Sequence, residues 1–164
     1  MRNSVANIVL WLYILNLGIA FGAGLYESRI AVPQWLSRTP EGGYRWNPVA
    51  AAEANVGLRF WVFVTTIPLT LLALASLVLL WGAPAPARQW WLISVLAALV
   101  DRLLTFLYFI PTMIKLMRGD VRPESAAVAK ARQWARLGYL RHAATLIAWL
   151  ASLQAFALIN RYGS

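Results

Sequence analysis

The chain has 164 residues, 60% of them hydrophobic and only 13% charged, with a mean hydropathy of +0.60. Soluble domains carry about 25% charged residues, so this composition belongs to the membrane class. The lack of cysteine excludes disulfide, thiol-redox, Fe–S and cysteine–zinc chemistry. A formal charge of +9 without an RNA- or DNA-binding motif points to loops beside anionic lipid, not to nucleic acid.

A helix needs about 20 apolar residues to cross a bilayer. The first such segment is 5–26, "VANIVLWLYILNLGIAFGAGLY". Its apolar run is longer than that of a signal peptide and a single arginine precedes it, so a retained span is expected. Gly18-x-x-x-Gly22 and Ala20-x-x-x-Gly24 favour close helix packing there. A long connection follows, 27–56, with a turn-rich "TPEGGYRWNP" and a short helix at "AAAEANVG". The second span is 57–81, joined by the proline-broken "GAPAPAR" to a third at 89–111 that can run on to Met117. The stretch "RGDVRPESAAVAKARQWARLG" reads as a turn and a basic helix leading into a fourth span, 137–159. Trp11, Trp81, Trp90, Trp91, Trp134, Tyr139 and Tyr162 near the span ends suit interface anchoring.

The expected fold is therefore an all-α integral membrane protein: one domain, 1–164, forming a four-helix antiparallel bundle capped by the two long loops. Arg2, Arg88 and Arg161 lie on the side of the termini, three basic residues in all. The long-loop side carries eleven: Arg29, Arg38, Arg45, Arg59, Lys115, Arg118, Arg122, Lys130, Arg132, Arg136 and Arg141. The positive-inside rule places the long loops in the cytoplasm, with the bacterial inner (plasma) membrane as the expected location.

Asp101 and Arg102 lie side by side near the middle of the third span. Each charge at that depth costs about 2.5–3.5 kcal/mol on insertion scales, so both should face the bundle interior, as a structural ion pair or as part of a site. Asp101, Thr105, Tyr108, Thr112 and Lys115 share one stripe at α-helical spacing. The other spans offer Asn16 and Glu27; Arg59, Phe63, Thr66 and Thr70; and Arg141, His142, Thr145 and Trp149. Alternating helix directions bring Glu27, Arg59, Tyr108, Arg141 and His142 to the end that bears the long loops.

His142, the only histidine, titrates nearest neutrality. It is a candidate base, with Glu27 orienting it and Tyr108 beside it; the plainer alternative is an interfacial ring bonded to a loop. Arg59, Arg141, Asp101, Arg102, Thr105 and Asn16 are the candidate substrate-binding residues. Met113-x-x-x-Met117 with His142 is a poor copper site beside ordinary packing, and no metal ligand set or other cofactor is assigned. Phosphate-loop, nucleophile-elbow and kinase motifs are absent.

Three stretches resemble the anthrone-oxygenase-like family of small four-span membrane proteins: "GAGLYESRIAVPQW" after a glycine-rich first span, "LRFWVFVTTIPLT" opening the second, and "QWARLGYLRHAATLIAWLASL", with Trp134 and Arg141, entering the last. The family often has a polar residue where Gly138 stands. The resemblance implies an oxidoreductase-like enzyme that oxidises a hydrophobic, aromatic or polyketide-like molecule with O₂, without metal or flavin. His142 would be the base, and Arg59 or Arg141 the electrostatic partner. The alternative is a non-catalytic membrane protein that binds lipid, quinone or a protein partner.

Overall fold

The computed structural model describes residues 2–162. The side chains of Arg2 and Tyr162, counted above as a terminal charge and an interface anchor, lie outside the described ones. Among the described residues, four stretches are long and apolar enough to cross a membrane: Ser4–Trp35, Gly57–Gly82, Ala85–Arg118 and Glu124–Arg161. Their main helices are α1 (Arg2–Tyr26), α4 (Ile67–Leu79), α5 (Ala85–Leu104) and α7 (Glu124–Tyr162). They form a closed ring: α1 packs on α4 and α7, and α5 packs on the same two. The result is an all-α, four-helix antiparallel bundle.

The bundle is small-residue inside and greasy outside. Ala73, Ala98, Ala148, Ala155, Ser76, Ser94 and Ser152 are fully or almost fully buried, whereas Phe63, Leu71, Val78, Leu107 and Leu150 are exposed. Water would not tolerate so much contiguous apolar surface. In lipid the outward leucines are solvated by acyl chains, and small inward residues let backbones approach. Buried hydroxyls find carbonyls across the ring: Tyr13 donates to Ser94 O (3.1 Å) and Ser94 Oγ to Ala148 O (2.6 Å). Along α5 the buried positions Ala87, Trp91, Ser94, Val95, Ala98, Asp101 and Arg102 recur at three and four, which is an α-helical inner face.

Three of the spans change pitch near the same end. Glu27–Ala31, Gly57–Thr66 and Thr105–Phe109 are π-helical, with wider turns closed by bonds to the fifth residue back. Each stops two residues before a proline, at Val32-Pro33, Ile67-Pro68 and Ile110-Pro111. Proline has no N–H and its ring crowds the carbonyl four residues back, and a widened turn relieves that crowding. Asn16 supplies one missing donor: its Nδ2 bonds the carbonyl of Val64, four residues before Pro68, at 2.8 Å.

A cap with its own core closes this end. After the first widened turn come α2 (Val32–Trp35), the antiparallel hairpin β1 (Leu36–Arg38) and β2 (Tyr44–Trp46), and α3 (Pro48–Ala54). Gly42 takes φ +80° at the hairpin turn, where only glycine is unstrained. Asn47 starts α3 by accepting from Ala50 N–H at 3.0 Å. Trp46 Nε1 donates to Leu116 O at 3.3 Å, which ties the hairpin to α6 (Ile110–Arg118). Arg38 bonds the Tyr44 hydroxyl at 3.3 Å and holds that phenol below its ordinary pKa. The basic stretch expected to precede the fourth span is the first part of α7 itself. That helix is unbroken over 39 residues, about 58 Å long, so it runs well past the hydrocarbon core. Two of the expected anchors face inward and not toward lipid: Trp91 and Trp134 are buried, and Trp134 Nε1 donates to Phe109 O at 3.1 Å.

Candidate functional site

Between the bundle and the cap lies a cavity of about 210 Å³. Its walls are largely apolar, with Trp35, Trp61, Phe109 and Trp134 as the aromatic part and Met113 and Met117 beside them. Among the described residues, Glu27 and Arg141 are the only charged ones that line it. All three widened turns contribute: Glu27 from the first; Trp61, Val62 and Thr66 from the second; Thr105 and Phe109 from the third.

Arg141 is held from behind. Its Nε donates to Asp101 Oδ1 at 3.0 Å, and its guanidinium sits 4.5 Å from the centre of the Phe109 ring. The other oxygen of Asp101 takes two bonds from Arg102, one of them from Nε at 3.1 Å. Asp101 is 1% exposed and Arg102 5%. Neither lines the cavity. Two guanidiniums around one carboxylate leave an excess positive charge, and Glu27 is the second carboxyl group beside Arg141 at the cavity. Glu27 Oε1 accepts from Trp61 Nε1 at 2.9 Å. Thr105 Oγ1 donates to the Asp101 carbonyl at 2.8 Å.

The structure thus brings Glu27, Arg141 and Thr105 to one cavity and places Asp101 and Arg102 behind it. Thr66, from the expected stripe of the second span, lines the cavity as well. The remaining candidate residues are not brought in. Arg59 is exposed and away from the lining; the stripe that joined it to Phe63 and Thr70 assumed 3.6 residues per turn, and the wider turn presents Trp61 instead. Tyr108 fails for the same reason. The widened turn at Thr105–Phe109 turns Phe109 inward, and the Tyr108 ring lies beneath the Lys130 ammonium at 5.6 Å. Lys115, from the same stripe, is exposed. Asn16 lies deeper, on Val64.

His142 is next door. It lines a separate space of about 40 Å³ with Gly138, Tyr139, Glu27 and Arg141, so those two charges border both spaces. His142 has no hydrogen bond to Glu27; its Nδ1 is buried without a partner. The Met113 and Met117 side chains border the larger cavity, where His142 does not reach.

The ring is pressed against α1 where no side chain intervenes. A Cβ on Gly24 would fall 2.6 Å from His142 Nε2. Gly18 meets Trp149 less tightly, at 3.2 Å, and Gly22 faces open space. Of the two small-residue pairs in the sequence, Ala20 and Gly24 are both buried, whereas Gly22 is exposed. Gly24→Ala is expected to lower thermal stability in detergent by about 1–3 kcal/mol, the cost of overpacking. Gly24→Ala with His142→Ala should recover most of that loss, and failure to recover would place the strain elsewhere.

The aromatic lining was the part that sequence reasoning missed. Its signal was a β-branched residue followed by proline inside three of the spans. No family model, curated protein or solved structure matches the chain.

Proposed function

We propose that the cavity binds a flat, hydrophobic, ring-bearing molecule and that the protein is an oxidoreductase-like membrane enzyme acting on it by proton abstraction. What supports this reading is the pairing of one carboxylate and one guanidinium inside a largely apolar space with four aromatic side chains in its wall. Small-molecule sites combine these features: apolar bulk for affinity and a few polar groups for orientation. At about 210 Å³ the cavity suits a compact ring system or the ring end of a longer molecule.

In this reading Glu27, not His142, takes the proton, because Glu27 borders the cavity. A carboxylate is a weak base, so the carbon acid must yield a delocalised anion. Arg141 faces the developing enolate oxygen and stabilises it. O₂ is the oxidant, as the anthrone-oxygenase resemblance implies. A methylene between aromatic rings loses its two hydrogens with one oxygen atom as water, and the other oxygen atom remains as the new carbonyl. The 40 Å³ space has room for one water, through which the Glu27 proton passes to His142. O₂ uptake by the protein in nanodiscs with 1,8-dihydroxyanthrone tests the reading, and a rate no higher than in empty nanodiscs would leave binding of lipid or quinone as the better account.

The excess of basic residues on the cap side supports a cytoplasmic cap in a bacterial inner membrane. Single cysteines at Ser4 and Glu41 should then label from opposite faces of intact cells, with Glu41→Cys shielded from an impermeant maleimide. Labelling of Glu41→Cys from outside would reverse the orientation.

A further inference from the structure

The cavity wall is uneven. Trp35 and Trp134 are buried at the cap side, and α3 covers that side through Ala51, which is 2% exposed. On another side the wall is thin. Leu58 (60% exposed), Ile110 (36%) and Ile114 (38%) line the cavity and also face outward.

The packing explains the gap. At the far end of the bundle α4 and α5 pack on each other. Near the cap they part company: the Gly57–Thr66 turns pack on α1, whereas α6 packs on α3 and α7. Pro68 and Pro111 stand where these packing partners change. Leu58 borders the gap from one span, and Ile110 and Ile114 border it from the next.

Depth decides what lies outside. Trp81 and Trp90, both exposed, mark the opposite interface. Counting about 20 residues from Trp90, the length that crosses the hydrocarbon, ends at Ile110. The gap therefore opens at the boundary between acyl chains and headgroups.

Resting on the proton-abstraction reading of this site, we infer that the substrate enters sideways from the bilayer through the gap between Leu58 and Ile110/Ile114. It is a membrane-dissolved ring compound that carries a hydroxyl and a carbonyl close together. The polar groups left over at the inner end match that class. Arg141 spends Nε on Asp101 and keeps its terminal nitrogens as donors. Glu27 holds Trp61 on Oε1 and keeps Oε2 as an acceptor. A carbonyl oxygen meets the first, a hydroxyl or acidic C–H meets the second, and the apolar body fills the aromatic walls and the gap.

The chain has no cysteine, so the entrance can be blocked one position at a time. Leu58→Cys, Ile114→Cys and, as a control at the other end, Val78→Cys (74% exposed in the wild type) are placed in nanodiscs and modified with benzyl methanethiosulfonate. The probe is 1,8-dihydroxyanthraquinone, followed by quenching of tryptophan fluorescence in stopped flow. Modification at Leu58 or Ile114 should slow association roughly tenfold or more, within the decades over which such rates vary among variants of one site. Dissociation should slow in step, since a blocked passage hinders both directions, and dithiothreitol should restore both rates. Modified Val78→Cys should behave as the unmodified protein. Equal association rates at all three positions would overturn the inference and send the ligand through the cap. Faster dissociation at an unchanged association rate would put the label in the cavity and count against it too. No binding by unmodified protein would instead remove the site reading itself, and this inference with it.

Discussion

Asp101→Ala is expected to destabilise the bundle by about 3–5 kcal/mol, or to prevent folding, because it strips the counter-charge from buried arginine. The size follows from the geometry. Asp101 is 1% exposed and serves both Arg102 and Arg141, the latter at 3.0 Å. Arg102, near mid-span, has no route to water by extending its side chain, so its charge would be left in a low-dielectric interior. Asp101→Asn should be milder, since it keeps an acceptor for one guanidinium. Asp101→Asn with Arg102→Gln should recover most of the folding stability, because the remaining cation, Arg141, has a side chain 18% exposed and borders the cavity with Glu27. That double variant should still bind 1,8-dihydroxyanthraquinone poorly, as Arg141 has lost the carboxylate that aims it. Thermal unfolding in detergent, followed by circular dichroism, reads the first effect, and tryptophan quenching reads the second. An unchanged melting temperature in Asp101→Ala would mean that water already reaches the triad.

The charges beside each other in "LVDRLL" are thus a clamp on a residue from another helix. The sequence showed that they had to face inward, but not that Arg141 was the third member. An ion pair between neighbours on one helix is visible in a string of letters, whereas a partner 40 positions away depends on how the helices rotate. The same rotation limited everything else. Long apolar blocks made four spans legible, and alternating direction put Glu27 and Arg141 at one end. Placing side chains on a face requires the pitch, and an α-helical pitch was assumed throughout. Each widened turn shifts the face that follows. That is why Phe109 stands where Tyr108 was expected, and Trp61 where Arg59 was. The prolines at 33, 68 and 111 carried the information, since a proline within a span must disturb the turn before it. The hairpin at Leu36–Trp46 was legible only as a turn: three-residue strands have too little alternation to read, and theirs is stabilised by Trp46 reaching Leu116.

The largest functional effect is expected at Glu27. Glu27→Gln keeps the shape and an oxygen for the Trp61 N–H, which now sits at 2.9 Å, but removes the basic group. O₂ uptake with 1,8-dihydroxyanthrone should fall by roughly 10²–10⁴-fold, the range that general-base catalysis supplies, while 1,8-dihydroxyanthraquinone still binds. His142→Ala should fall less. Its ring borders only the 40 Å³ space behind Glu27, so it accepts a proton already removed from substrate. The loss should appear as a lower kcat with KM unchanged, and a larger solvent isotope effect should accompany it, because proton escape then limits turnover. His142→Gln should resemble His142→Ala, since an amide cannot carry the proton onward. The reverse order, with His142→Ala nearly dead and Glu27→Gln active, would restore the histidine as the base and require it to swing past Gly24 into the cavity. That swing has a signature of its own. Gly24→Ala, which brings a methyl to the His142 ring, would then alter kcat sharply, whereas with Glu27 as the base its main effect is on stability. Full turnover in both Glu27→Gln and His142→Ala would leave the cavity a binding site without proton chemistry, and the bilayer-facing entrance would then serve a lipid or quinone that is held and not transformed.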